Sequence, residues 1–415
     1  MPAKRAVVPD GRLGGVVGGA SSGDGMPDVR ASQPAPGGSS GDGALDRTAG
    51  EQARRGLSGD GVPPRSAVAA PARNGTEPSE DPAAAAAGPL PAAVCVLGMG
   101  LIGGSLMRAA AAHVPVFGWS PGEQTRLAAA ADGHAVLDTV EDALRRAEQT
   151  DALVVLAAPV TAFSALLRAV DATAPTVRLT DVGSVKAPVA AQVAALAPRA
   201  RYIGSHPMAG TADSGWAAGS AGLFADRAWV TCLDSASSIE HWAPVAGLAL
   251  AVGSRVVPVE PVAHDDAVAR ISHLPHLLAL ALAQVGQAGG SLALGLAAGS
   301  FADGTRVAGT RPELIRAMCE GNAPHLVHAL DEALALLGVA RASLASSGSL
   351  AKIAGGGHEA RLAFDRRLSG LRPVVLRGDD MIEQLLAVGA AGGFVTAVTG
   401  SVEQLIVRAM YPDGQ

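Results

Sequence analysis

Ala93-Val94-Cys95-Val96-Leu97-Gly98-Met99-Gly100-Leu101-Ile102-Gly103 is the stretch whose reading decides the fold. Five small or apolar residues predict a strand buried on both faces, a GxGxxG turn follows at once, and an Ala/Leu-rich run over 101–112 predicts a helix. Gly98 permits the tight turn, Gly100 lets the backbone approach a pyrophosphate, and Gly103 lets the helix sit close on the strand. The anion would rest on the helix N-terminus, where unpaired N–H groups and the helix dipole favour negative charge. Gly98, Gly100, Leu101, Ile102 and Gly103 are therefore the candidate cofactor-binding residues.

Outward from this loop the pattern repeats. Strand candidates lie at 93–97, 114–117, 152–157, 176–180, 202–204 and 228–232, separated by helical runs at 101–112, 123–131, 160–170 and 186–196. Strand and helix in alternation with short connections imply a parallel sheet covered on both faces, an α/β fold of Rossmann type. After Val259 no strand is expected: 261–284 has Val262, Val268, Ile271, Leu274, Leu277, Leu278 and Leu282 at helical spacing, and 312–337 continues in the same manner. The apolar faces of this all-helical half exceed what its length can bury, which points to a homodimer. Gly, Pro and Ser fill 36 of the first 90 positions, with no Phe, Trp, Tyr or Ile among them. So few large apolar groups cannot offset the entropy of ordering a backbone, and the segment reads as disordered. The expected division is a disordered extension over 1–90, a dinucleotide-binding domain over 91–260, a helical substrate and dimerisation domain over 261–370, and an unassigned tail over 371–415.

Composition narrows the function. The 415 residues carry 32 Lys+Arg against 38 Asp+Glu, a net charge of −6, which argues against a non-specific nucleic-acid binder. No stretch reaches 18 uninterrupted apolar residues, and no apolar run of signal-peptide length follows Lys4 and Arg5, so neither a membrane span nor a secretory signal is expected. Cys95, Cys232 and Cys319 are scattered without metal-ligand or disulfide spacing, which suits a reducing cytoplasm.

Five further motifs carry chemistry. The second strand of such a sheet ordinarily ends in an acid that binds the NAD ribose; here Ser120 stands at that place, with Arg126 nearby, and the cofactor is left as NAD or NADP. Gly204-Ser205-His206-Pro207-Met208-Ala209-Gly210 begins at the end of a strand, where ligands of an open α/β sheet bind. A neutral histidine there can take a hydroxyl proton while a hydride leaves the substrate, or it can simply cap the loop. Thr180-Asp181-Val182-Gly183-Ser184-Val185-Lys186 ends another strand on the same edge, and Ser184 either donates to substrate or caps the next helix. His264-Asp265-Asp266 precedes Ser272-His273-Leu274-Pro275-His276; the i, i+3 histidines lack a third ligand at fixed spacing, so no metal is expected. Arg306, in Thr305-Arg306-Val307-Ala308, is either a bidentate partner for a carboxylate or a solvated side chain.

Taken in order, GMGLIGGS (98–105), DVGSVK (181–186), GSHPMAG (204–210), SHLPH (272–276) and TRVA (305–308) resemble prephenate dehydrogenase of the TyrA family over roughly residues 93–325. The resemblance implies oxidative decarboxylation of prephenate to 4-hydroxyphenylpyruvate, on the way to tyrosine, in a cleft between a nucleotide-binding domain and a helical dimerisation domain. It implies His206 as the base that accepts the ring-hydroxyl proton and Ser184 as a contact to the same hydroxyl. His276, with His273 beside it, and Arg306 would be the substrate-side groups, the arginine holding a carboxylate. The sister reaction on arogenate stays open, as does a catalytically silent NAD(P)-sensing regulator. Related hydroxyacid dehydrogenases share the glycine loop but place a lysine in the helical domain and lack the GSHPMAG and SHLPH pairing.

Overall fold

The computed structural model describes residues 89–211, 213–401 and 404–412, so nearly all of the extension expected to be disordered lies outside the described residues. The alternating pattern gives β1 (Val94–Leu97), α1 (Leu101–Ala110), β2 (Val116–Trp119), α2 (Glu123–Ala131), β3 (Ala135–Val136), α3 (Val140–Gln149), β4 (Leu153–Leu156), α4 (Phe163–Thr173), β5 (Arg178–Asp181), α5 (Ala187–Leu196) and β6 (Arg201–Ile203). These strands are all parallel, in the order β3-β2-β1-β4-β5-β6. Strand order reverses between β1 and β4, and the ligand crevice of a doubly wound sheet opens at that reversal. Val94 and Val96 enter one core with Leu106, Met107 and Trp242, while Cys95 and Leu97 enter the other with Leu144 and Phe163. Successive strand residues point to opposite faces, and a strand covered on both sides has no place for a polar residue.

The first sheet ends at Gly204, and the chain crosses directly into a second one with β7 (Ser205–Pro207), β8 (Ala228–Cys232), α6 (Ile239–Ala251) and β9 (Arg255–Val259). The strand expected at 228–232 thus belongs to this second sheet and does not extend the parallel one. The helical half follows: α7 (Pro261–Val268), a π-helical turn Ala269–His273, α8 (Leu274–Ala288), α9 (Gly290–Gly295), α10 (Gly299–Thr305), a 3-10 turn Arg306–Gly309, α11 (Pro312–Gly321), α12 (Ala323–Ser346) and α13 (Ala351–Asp365). Ile271, Val285, Leu292, Leu296, Val327 and Leu336 are each more than half exposed on it. The run Pro261–Ala288 is long and apolar enough to cross a membrane by length and composition. It also carries Asp265, Asp266 and Arg270, and its His264, Asp265 and His273 are buried against protein.

Contrary to expectation, the strands do not stop at Val259. The tail forms β10 (Leu371–Leu376), α14 (Met381–Ala390), β11 (Phe394–Thr399) and β12 (Ile406–Pro412), and completes the second sheet in the order β10-β12-β11-β9-β8-β7. Only β8 and β9 run parallel in it. The reason is edge pairing: without β11, β9 would offer an unpaired row of backbone groups, and Phe394-Val395-Thr396-Ala397-Val398-Thr399 has the β-branched content to pair there. Pro373 sits in the edge strand β10, where a missing N–H breaks no ladder. Met381, Leu385 and Val388 of α14 share one core with Trp242, Val256 and Val395. Because Leu385 is fully buried there, Leu385→Ala is expected to cost about 2–5 kcal/mol, seen as one shifted cooperative transition in urea unfolding. A separate early transition of the tail would show that the two parts do not share a core.

Candidate active site

The glycine loop behaves as its sequence requires. Gly98 has φ of +109°, and a Cβ there would lie 2.5 Å from the Ala158 nitrogen; a Cβ on Gly103 would lie 1.9 Å from the Gly98 oxygen. A Cβ on Gly100 would meet nothing within 4 Å. The N-terminus of α1, with Leu101 and Ile102 in its first turn, therefore faces open space, with no capping side chain and no acidic residue in that turn. Unpaired N–H groups facing a gap without a nearby carboxylate fit a dinucleotide pyrophosphate. Ser120 is buried just beyond β2. Arg126 Nη1 donates to the Ser120 carbonyl at 2.8 Å and to the Pro121 carbonyl at 3.1 Å, which holds a guanidinium where the ribose acid would ordinarily stand.

A buried ion pair connects the two sheets. Lys186 and Asp181 are both out of solvent, and Lys186 Nζ donates to Asp181 Oδ1 and, at 2.6 Å, to the Ser205 carbonyl. Asp181 also accepts from the Tyr202 hydroxyl at 2.7 Å and the Gly183 N–H at 2.7 Å. The Ser205 hydroxyl donates to the Asp181 carbonyl at 2.6 Å. The end of β5 and the start of β7 are thus pinned together one residue before His206.

His206 sits mid-strand in β7, half-buried, paired in register with Val230. Its Nδ1 lies 2.9 Å from His264 Nε2, and His264 Nδ1 lies 2.8 Å from Asp265 Oδ1. Asp265 accepts the Lys186 N–H at 2.7 Å and the Ala187 N–H at 2.9 Å. Burial first, then the neighbouring His264, Lys186 and His273, push His206 well below the ordinary histidine range. Burial likewise lowers His264, against the pull of Asp265. His273 is fully buried and pushed down to about 4, mainly by burial. Its Nδ1 meets Asn322 Nδ2 at 3.1 Å, and its Nε2 is buried without a partner. Asn322 Nδ2 also donates to the Asp265 carbonyl at 2.7 Å.

The structure gathers the expected residues unevenly. His206 and His273 meet around His264, while His276 and Arg306 lie together, burial and the arginine's charge both lowering His276. Nδ1 of His276 is buried without a partner, and Arg306 is exposed with no ion pair among the described residues. Ser184 lies half-buried on the turn after β5, its hydroxyl unpartnered among the described residues; Asp265, not Ser184, takes the first N–H groups of α5. Sequence reasoning missed Lys186, Asp181, Tyr202, Asn322 and the roles of His264 and Asp265. It also missed the π turn. In an unbroken helix His264 and His273, nine residues apart, would stand about two and a half turns apart and face opposite ways; here both act on His206. The signal was Pro275, whose ring clashes with the carbonyl four residues back and is accommodated by widening the preceding turn.

Residues 103–258 match the family profile described as prephenate dehydrogenase, nucleotide-binding domain, and residues 260–348 the profile described as prephenate dehydrogenase, dimerization domain. A cyclohexadienyl dehydrogenase of Zymomonas mobilis is 33% identical over 265 residues, covering 61% of this chain and 88% of that protein. Among solved structures, a candidate prephenate dehydrogenase from Corynebacterium glutamicum superposes with a TM-score of 0.70 at 46% identity, covering 73% of this chain and 98% of the other. Synechocystis arogenate dehydrogenase gives a TM-score of 0.57 at 27% identity, covering 66% and 99%.

The pinning role of Lys186 has a direct test. Lys186→Met leaves the Asp181 carboxylate buried without its cation and is expected to cost about 3–5 kcal/mol in urea unfolding. A cost below about 1 kcal/mol, the worth of an exposed pair, would show that the pair does not hold the sheets together.

Proposed function

Because the chain belongs to the prephenate dehydrogenase family, an NAD(P)-dependent group of dehydrogenases, we propose that its own substrate is prephenate, oxidised and decarboxylated to 4-hydroxyphenylpyruvate. The observation that carries this reading is His206, a histidine held neutral on β7, the edge strand of the second sheet, one residue after the Ser205 tied to the end of β5, and 2.9 Å from His264 of the helical half. A bound nicotinamide would supply the hydride acceptor, held by Gly98, Gly100, Leu101, Ile102, Gly103 and Ser120. His206 takes the proton of the ring hydroxyl as the carbon bearing it loses a hydride. The ring carboxylate leaves as CO2, its bonding electrons complete the aromatic ring, and the phenolic oxygen recovers a proton, so no net proton is consumed. Ser184 steadies the same hydroxyl. His276 offers a hydrogen bond to the substrate from the helical half and Arg306 pairs with a substrate carboxylate, whereas His273, expected beside them, is out of solvent with Nδ1 held by Asn322 and has no open face to offer one.

Ser120 in place of an acid, with the Arg126 guanidinium fixed beside it, supports acceptance of the 2′-phosphate of NADP as well as NAD. We assign 91–260, with the tail that shares its core, to dinucleotide binding, and 261–370 to substrate binding and to pairing with a second copy through the exposed apolar helical face. Three free cysteines suit the cytoplasm as the working compartment.

Initial rates with prephenate and with arogenate, each against NAD and NADP, test the reading; turnover of arogenate alone would replace it with the sister reaction, and cofactor binding without turnover with a sensor. His206→Asn is expected to lower kcat by about 10²–10⁴-fold, the contribution of a placed base, with little change in KM. Arg306→Ala is expected to raise KM by about 10–100-fold, the worth of a charge-assisted hydrogen bond. Near-normal turnover in the first variant or normal substrate affinity in the second would remove that residue's role. Since only neutral His206 can act and its proton affinity is lowered, kcat/KM should stay level as pH falls through 6.5 and decline only below it; an acid limb at or above 6.5 would contradict a depressed His206.

A further inference from the structure

A neutral imidazole has one bare nitrogen and one N–H, and only the bare nitrogen can accept a proton. Which nitrogen of His206 is bare follows from the groups behind it. Asp265 is fully buried and accepts two backbone N–H groups, at 2.7 and 2.9 Å. Burial alone would raise its proton affinity, but the hydrogen bonds from His264, Lys186 and Ala187 carry it below the ordinary carboxylate value. An ionised carboxylate only accepts, so the His264 nitrogen 2.8 Å away, Nδ1, carries the hydrogen. His264 is neutral, so its Nε2 is bare. The His206 nitrogen 2.9 Å from that bare Nε2 is Nδ1, and it must donate. The two rings meet edge to face, at 74° with centroids 5.2 Å apart.

We propose that Asp265 and His264 are positioning residues that set the tautomer of His206, leaving Nε2 bare and turned to the substrate. The inference rests on the proposed function for the identity of the proton donor, but not for the tautomer itself. Among the described residues His264 alone makes a side-chain hydrogen bond to His206: Lys186 is engaged by Asp181 and the Ser205 carbonyl, and His273 meets Asn322 through Nδ1 while its Nε2 has no partner. When Nε2 gains the hydroxyl proton, the imidazolium already points its Nδ1–H along the chain of hydrogen bonds that ends in a carboxylate. The arrangement has the logic of an acid–base triad with a second imidazole inserted between carboxylate and base.

The test reads nitrogen protonation directly. In protein labelled with ¹⁵N-histidine, without ligand, His206 should show a protonated Nδ1 and a bare Nε2, with its signals identified by their loss in His206→Asn. His264→Gln places an amide oxygen near the former Nε2 and should keep this tautomer; His264→Leu offers no acceptor and should release it. Correspondingly, kcat should fall about 10²-fold or more in the Leu variant at similar KM, within the span a placed base contributes, and the Gln variant should recover at least about tenfold of that loss. A protonated Nε2 on wild-type His206, or an unchanged tautomer in His264→Leu, overturns the inference; if the Leu variant fails to fold, the wild-type spectrum alone decides. The tautomer as stated without turnover of any cyclohexadienyl acid would uphold the inference and discard the proposed substrate, whereas normal turnover with the opposite tautomer would do the reverse.

Discussion

The buried pair of Lys186 and Asp181 is the interaction on which the site depends. Each charge is out of water, so neither can lose its partner without leaving an uncompensated ion in the interior. Asp181 closes the last residue of β5, and Lys186 reaches across to the carbonyl of Ser205, where β7 begins. A strand of the parallel sheet is thereby fixed to a strand of the mixed sheet, and the residue that follows Ser205 is the candidate base. The same turn carries Ser184, so one ion pair orients two of the groups that would meet a substrate hydroxyl. Replacing the pair with apolar side chains of similar volume could preserve stability, but it would give up the hydrogen bonds to Ser205, Tyr202 and Gly183 that aim the turn.

The charges around the histidines are arranged in a definite balance. Lys186 and Asp181 cancel one another, which leaves Asp265 as the net charge beside three imidazoles, all lowered. In the resting state the rings are neutral and the carboxylate is held by backbone N–H groups at the start of α5. Were His206 to take up a proton, the leftover negative charge would lie one ring away. A site of this kind disfavours the imidazolium before reaction and answers it as it forms, with groups already in place, so little reorganisation is needed during the chemical step.

Much of this was legible in the residues. The glycine loop predicted the nucleotide-binding sheet because each glycine has a steric duty that no other residue can perform, and the positive φ at Gly98 and the close approach at Gly103 are those duties. His206 drew attention because its motif begins where the strand 202–204 ends, and the structure places it in the middle of the next short strand, β7. The second sheet was not, because Gly204 is the whole connection between β6 and β7 and nothing local says that a chain changes sheets there. The tail was legible and passed over: the Val/Thr pattern of β11 is a strand pattern, but its partner, β9, lies far away in sequence and only tertiary pairing gives the run a place. Nothing local in the DVGSVK run says that Lys186 and Asp181 are buried against each other, since burial of a charge is decided by what covers it.

The pairing of Val256 with Val395 joins positions roughly 140 residues apart in the sequence, a separation that makes contacts slow to form. During synthesis, β9 leaves the ribosome long before its neighbour exists, and a newborn chain must wait with one side of that strand bare. A chain that stopped between β9 and β11 would leave that side of β9 open and would lack Val395 in the core it shares with Trp242 and Val256. An unpaired edge of that kind is a template for pairing with another chain, so β11 acts as a seal on β9.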